Sequence, residues 1–157
     1  MPNRNRSPRR RGFSLIELLI VIAIILIIIT MAAPKFTQAR KFANETSAVQ
    51  SIKTINGVQY QYQSQFGKFA TSLAELGPPQ SGDPGPAASD LIPGDLAAGE
   101  KSGFRFTLSG SESGYVIHAA PATFGTTGNR TFYSDQTGVI RQNFGQEQAT
   151  ASSPEFK

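Results

Sequence analysis

The sequence predicts an α+β fold, in which a long N-terminal helix packs on a small antiparallel β-sheet. Three observations predict it. A continuous apolar run near the N-terminus gives way to apolar residues at helical spacing. A proline- and glycine-rich stretch then interrupts all periodicity. Beyond it come short segments that alternate large apolar with polar residues, joined by turns, as an antiparallel sheet with one buried face requires. The chain has 157 residues, enough for one modest domain.

The helix is expected to run from residue 13 to about residue 66, with two characters. Between Phe13 and Ala33 the only ionisable side chain is Glu17, and Leu18 to Ile29 is unbroken apolar sequence. These 21 residues span roughly 31 Å at ~1.5 Å each, about the hydrocarbon thickness of a bilayer. An ordinary secretory signal has a shorter apolar stretch and a small-residue cleavage site. Here Ala32 and Ala33 are followed directly by Pro34, which argues against conventional cleavage.

The second half of the helix reads as amphipathic. Phe42, Val49, Ile52, Ile55, Tyr62 and Phe66 recur at three- and four-residue steps, with Ala39 and Ala43 alongside. Gln50, Lys53, Gln59 and Gln63 are assigned mostly to the other side. Pro34 lacks the N–H that would bond the carbonyl of Thr30, and the helical pattern resumes after it, so a kink is expected there. Gly57 is a second soft point.

A helix stop is expected at Phe66–Gly67, and Ser72-Leu-Ala-Glu75 has capping-box spacing. From Gly77 to Gly103 the chain holds five prolines and six glycines and reads as a long irregular connection with a brief helix around Asp95–Ala98. Strands are expected at Phe104–Leu108, Tyr115–Ala119, Arg130–Ser134 and Val139–Gln142, with Asp135-Gln-Thr-Gly138 as a hairpin connection. The domain reading is a leader at 1–12, a membrane or filament-core half-helix at 13–34, a globular domain at 35–143 and a flexible tail at 144–157. The tail is polar and rich in small residues.

Charge excludes one class of partner. Of the 15 basic residues, Arg4, Arg6, Arg9, Arg10 and Arg11 lie in the leader with no acid among them. Removing these five leaves 10 basic against 11 acidic residues, a net of −1, so no nucleic-acid surface is expected. The arginine cluster before the apolar run outweighs Lys35, Arg40 and Lys41 after it, which puts the N-terminus on the cytoplasmic side. The chain has no cysteine, hence no disulfide and no thiolate metal site.

The most informative residues are Arg11-Gly12-Phe13-Ser14-Leu15-Ile16-Glu17-Leu18-Leu19-Ile20-Val21. They closely resemble the processing and methylation site of type IV pilins and type II secretion pseudopilins. The resemblance covers residues 11–36. It implies that a membrane prepilin peptidase cuts between Gly12 and Phe13 and that Phe13 is then N-methylated. It makes Glu17 the fifth residue of the mature chain, where the family carries its glutamate. Pro34 falls where many members have a helix-bending proline.

The implied partners are identical or related pilin subunits, the prepilin peptidase, an inner-membrane assembly platform and, before assembly, the lipid bilayer. The implied location is the inner membrane with a single pass, then an extracellular pilus or a periplasmic pseudopilus. Many pilins close their C-terminal region with a disulfide, and that part of the pattern does not carry over.

The residues support these roles independently. A peptidase needs a cut site without a bulky side chain, which Gly12 offers. A carboxylate in an apolar helix costs up to ~3 kcal/mol at the bilayer centre, so Glu17 calls for a partner. Cleavage would create a positive amine four residues away on the same helix face. Glu17 is therefore expected to exchange its own N-terminus for that of a neighbour and so set subunit register.

Other signals point to bland roles. His118, the only histidine, lies on a predicted strand and reads as structural. Asp83, Asp90 and Asp95 lack a calcium-ligand cadence, no metal-ligand spacing occurs, and no nucleophile elbow is present. No cofactor and no enzyme activity are expected. The leading function is a structural subunit of a type IV pilus. A pseudopilin or minor pilin of a secretion or DNA-uptake system stays open beside it, as does a single-span anchored binding domain.

Overall fold

In the computed structural model, which describes residues 12–111 and 113–157 apart from the side chain of Ala33, the chain forms three helices followed by a five-stranded sheet. The leader call thus lies outside the described residues except for Gly12. Helix α1 spans Leu15–Phe66, 52 residues. It ends where Gly67 takes φ +76°, a left-handed conformation that glycine adopts without a Cβ penalty, and its N–H returns to the Gln63 carbonyl at 2.8 Å. Two compact units divide the chain, one ending at Phe36 and the other comprising Thr37–Lys157.

Within the first unit the described residues are a single helical segment. Every large apolar side chain from Leu15 to Met31 is at least 45 % exposed. The Thr30 hydroxyl turns back to the Ile27 carbonyl at 2.7 Å, so the residue that interrupts the apolar run does not present a free donor.

The second unit contains the core. After α1 come α2 (Leu73–Leu76) and α3 (Gly94–Ala97), then β1 (Glu100–Lys101), β2 (Phe104–Ser111), β3 (Gly114–Pro121), β4 (Arg130–Asp135) and β5 (Arg141–Phe144). The strands lie in sequence order and all pair antiparallel. Register aligns Phe106 with Ala119 and Ala119 with Phe132, so one face collects Phe104, Phe106, Leu108, Tyr115, Ile117, Ala119 and Phe132. From α1, Ala48, Val49, Ile52, Ile55 and Tyr62 complete the same buried cluster. The predicted α+β architecture is therefore the one observed.

Polar groups inside this interface are satisfied. The Tyr115 hydroxyl donates to Asn56 Oδ1 at 3.0 Å, Asn56 Nδ2 donates to Ser134 Oγ at 2.9 Å, and Ser134 Oγ donates to the Val139 carbonyl at 3.1 Å. This relay ties helix to sheet, and leaving any member unpaired would cost ~1–3 kcal/mol.

Several local expectations change. Phe42, Ala39 and Ala43 are exposed, Phe42 by 66 %, so the buried stripe begins at Glu45 instead. Gln59, assigned to the polar side, is fully buried. Its amide exchanges two hydrogen bonds with the Ala70 backbone, at 2.9 and 3.0 Å, which offsets the cost of burying it. Ser72 makes no side-chain cap on α2. Glu75 instead receives the Thr71 N–H and hydroxyl and the Tyr62 hydroxyl.

The brief helix is Gly94–Ala97, and β1 was not foreseen, being two residues long. The last strand is shifted to Arg141–Phe144, while Ile140 enters the core from the preceding turn.

The flexible tail is also corrected. Residues 154–156 lie along β5, and Glu147 and Ala149 are held by the Thr131 hydroxyl of β4. Gln142 N–H donates to the Pro154 carbonyl at 2.9 Å, and Phe156 N–H donates to the Ile140 carbonyl at 2.8 Å. Arg141 and Glu155 pair antiparallel. The tail carries no apolar period, but a strand edge supplies the missing partners for its backbone.

Candidate functional site

The motif residues occupy the first turn of α1 and the chain just before it. Gly12 stands open: a Cβ built there would meet no atom within 4 Å. Phe13 is 86 % exposed. Ser14 precedes the helix, and its N–H donates to Glu17 Oε2 at 3.0 Å. The first N–H groups of a helix have no internal acceptor, and the dipole there favours an anion, so Glu17 satisfies a donor and a field together. Ser14-Leu15-Ile16-Glu17 has capping-box spacing, and this contact is its return arm. That reading of Glu17 was missed, although the serine three residues earlier was the signal.

The structure thus brings Phe13, Ser14 and Glu17 into one turn. Pro34 lies roughly 25 Å further along at ~1.5 Å per residue, inside α1 and without ending it.

A second polar centre lies within Thr37–Lys157 and was not anticipated. Glu45, almost buried on α1, receives Arg130 Nη2 at 2.6 Å, Arg130 Nε at 2.8 Å and the Asn129 N–H at 2.7 Å. Arg130 also donates to Gln142 Oε1 at 2.9 Å, and its guanidinium lies 5.4–5.9 Å from the ring centres of Phe132, Phe144 and Phe156. The available signal was position, because Glu45 precedes Val49 by four and Ile52 by seven residues, on the apolar stripe itself.

The remaining titratable groups are dispersed. Burial pushes the hydroxyls of Tyr115, Tyr62 and Tyr133 up from the usual phenol range, each helped by a nearby carboxylate. Burial works to raise the Asp135 carboxyl, but hydrogen bonds from Thr137 and Tyr133 and the charge of Arg141 outweigh it, and the net direction is down. His118 is lowered from 6.5 by burial, partly offset by the Ala149 backbone. Among the described residues no group of three or more His, Asp or Glu could hold a metal ion. A groove of about 700 Å³ beside α1 is lined by Phe42, Thr46, Gln50, Thr54, Pro93 and Leu96; its one charged group, Lys101, is paired with Asp95 at 3.5 Å.

This geometry places an open glycine just before an exposed apolar helix whose first turn holds Glu17. Residues 7–33 match the family model for the prokaryotic N-terminal methylation motif. The chain carries that prepilin motif. It is 34 % identical over 71 residues to the type IV major pilin protein PilA of Myxococcus xanthus, which covers 45 % of this chain and 32 % of the relative. It is 39 % identical over 66 residues to the type IV wide pilus major component PilA4 of Thermus thermophilus, covering 42 % of this chain and 50 % of the relative. The matches thus span a third to a half of these curated relatives. No solved structure matches the chain. α1 is long and apolar enough to cross a membrane, and the methylation motif lies at its start.

Proposed function

We propose that this chain is a structural subunit of a type IV pilus filament, synthesised as a precursor and held in the inner membrane before assembly. The observation that carries the proposal is the helix directly behind the methylation motif, apolar and exposed on all sides from Leu15 to Met31. Such a surface is stable only in lipid or among other helices, and a pilin uses each in turn. The names of the two relatives support the same class. The role is structural rather than catalytic.

In this reading the leader arginines hold the N-terminus on the cytoplasmic side, with single-pass topology. A prepilin peptidase cuts between Gly12 and Phe13, where the openness of Gly12 favours access. Phe13 then becomes a positively charged, methylated N-terminus. Glu17, which now accepts the Ser14 N–H, gains that amine as a partner on its own turn. On assembly it exchanges the amine for that of a neighbouring subunit, and a stagger leaving Glu17 unpaired in the apolar filament core is penalised. Pro34, lacking an N–H within α1, supplies the place where the helix bends or loosens as subunits pack.

Intact-mass measurement of sheared surface filaments tests the proposal. The subunit should begin at Phe13 with one added methyl group and should be the main component of filaments seen by electron microscopy. Protein retaining residues 1–12 would overturn the processing step. Processed protein found only in periplasmic assemblies would shift the reading to a pseudopilin.

A further inference from the structure

Among the described residues of Thr37–Lys157, the large apolar side chains left exposed are Phe42, Tyr60, Phe124 and Phe144. Single exposed apolar residues are ordinary on a soluble surface. Here they are not scattered. Tyr60 lies toward the far end of α1, where its hydroxyl donates to the Gln136 carbonyl at 2.6 Å. The other three gather at the end of the domain that follows Phe36 in the chain.

Each of the three is held at the level of the same helix turn. Phe42 is on α1 itself and is 66 % exposed. Phe124 tips the β3–β4 loop. That loop is closed on itself, with the Gly125 N–H donating to the Gly128 carbonyl at 2.8 Å and the Thr127 N–H to the Thr123 carbonyl at 2.9 Å. It is fastened to α1 by Asn44 Nδ2, which donates to the Thr127 carbonyl at 2.9 Å. Phe144 ends β5 and is 73 % exposed. It pairs across from Arg130, whose guanidinium is fixed to Glu45 at 2.6 Å. Phe42, Asn44 and Glu45 lie within about one turn of α1, so three aromatic rings stand around the helix near one level.

Two cations accompany them. No ion pair among the described residues involves Arg40 or Lys41, which precede Phe42 on α1. Arg40 is exposed and Lys41 half-buried. Nearby charges are already neutralised, Glu45 by Arg130 and Lys101 by Asp95 at 3.5 Å. Glu147, whose carbonyl accepts from Asn143 Nδ2 at 3.1 Å beside Phe144, is an exposed carboxylate that opposes Arg40 and Lys41, and the two cations outweigh it.

We propose that this end of the domain docks on the bilayer surface, with Phe42, Phe124 and Phe144 entering the headgroup layer and Arg40 and Lys41 binding the phosphates of anionic phospholipids. The inference rests on reading the apolar half of α1 as a membrane span, because chain connectivity then delivers this end of the domain to the surface that the helix leaves. Phenylalanine rings gain burial at the headgroup–acyl boundary, and basic side chains gain from the negative potential of an anionic surface. Docking seats the domain on the membrane, so withdrawal of a subunit for assembly has to break these contacts as well as extract the helix.

The chain has no tryptophan, so a single introduced one reports its own surroundings. Phe124→Trp, Phe144→Trp, Gln136→Trp and Ile24→Trp are made in the full chain. Each is reconstituted in vesicles of phosphatidylcholine alone, or of equal parts phosphatidylcholine and phosphatidylglycerol, containing lipids brominated either near the headgroup or deep in the acyl chain. Ile24→Trp should be quenched by the deep bromines in both vesicles, which tests the span by itself. Phe124→Trp and Phe144→Trp should be quenched by the shallow bromines in phosphatidylglycerol vesicles, and Gln136→Trp should not. Arg40→Gln and Lys41→Gln, added to either aromatic reporter, should each lower the docking constant roughly fivefold. Added salt should weaken docking further.

An unquenched Ile24→Trp would remove the membrane reading and the proposal with it. A quenched Ile24→Trp beside unquenched Phe124→Trp and Phe144→Trp would overturn the docking alone. Equal quenching at Gln136→Trp, equal quenching in neutral vesicles, or quenching indifferent to both charge removals would do so too. Shielding of the two aromatic reporters that grows only with protein density, without lipid quenching, would give this face to a second copy and overturn the proposal. The reporters at 124 and 144 are independent, so one decides the matter if the other does not fold.

Discussion

The two halves of α1 carry apolar residues for different reasons. From Leu15 to Met31 every large apolar side chain is exposed, whereas Ala48, Val49, Ile52, Ile55 and Tyr62 are buried in the cluster shared with the sheet. The first half is uniformly apolar and the second has a stripe. A uniform surface has no preferred side, so it commits the helix to no one partner face. A stripe commits the helix to one face and leaves Lys53, Gly57 and Gln50 outside. The same backbone thus carries an exposed apolar surface first and an intramolecular core second. The polar residues follow the division. Glu17 accepts from its own helix end, while Glu45 is locked to the sheet.

The largest expected effect separates these two glutamates by what they control. Under the proposed assembly mechanism, Glu17→Leu should nearly abolish filament yield while leaving the melting midpoint of the folded domain unchanged. Membrane insertion should be at least as efficient, because the apolar run is then uninterrupted. Normal filaments from homogeneous Glu17→Leu protein would make Glu17 a helix cap and nothing more.

Glu45→Ala should do the reverse. It strips Arg130 of its charge partner in a nearly buried site and leaves the Asn129 N–H without its acceptor. Breaking a buried pair costs ~3–5 kcal/mol, measured by denaturant unfolding. The contrast is Glu100→Ala, which removes an exposed pair with Arg105 and should cost no more than ~1 kcal/mol. Equal effects would mean that the Arg130 rings and Gln142 hold the guanidinium unaided.

A matched pair of truncations probes the apolar residues themselves. Ile52 is fully buried and Ile24 is 52 % exposed. Ile52→Ala should lower domain stability by ~2–5 kcal/mol, the usual loss of transfer energy plus cavity. Ile24→Ala should leave domain stability unaltered and act, if anywhere, on membrane retention or filament yield. A stability loss from Ile24→Ala would break the division between the halves.

Much of this organisation was legible because it rests on periodicity. The apolar run, the stripe at Val49, Ile52, Ile55 and Tyr62, and the alternation Phe104, Phe106, Leu108 each report a local geometry that the sequence must repeat. The motif at Gly12 to Glu17 was legible because its chemistry is local to one helix turn. What was hidden depends on partners far apart in the chain. Gln59 looks polar until the Ala70 backbone meets it, and Arg130 looks like a strand-edge charge until Glu45 lies opposite. The tail looked disordered because its order comes from the β5 edge and not from its own pattern. The start of the stripe was misplaced by Phe42, whose hydrophobicity said nothing about whether a partner was in reach.

The smallest effect tests the outer side of the second half. Gly57 is exposed, lies in the interior of α1, lacks a positive φ, and has room for a methyl group, with no atom within 4 Å of a built Cβ. Nothing in the folded domain needs a glycine there. Gly57→Ala removes backbone freedom from the unfolded chain and should raise stability by about 0.5–1 kcal/mol in denaturant unfolding. If stability rises as expected and filament yield also holds, that side of α1 faces solvent in the assembly. If stability rises but yield falls, a neighbouring subunit approaches α1 closely at Gly57, and the outer side of the second half joins the first half as an intermolecular surface. A loss of stability would mean that the helix departs from regular geometry at this point, contrary to the uninterrupted Leu15–Phe66 helix.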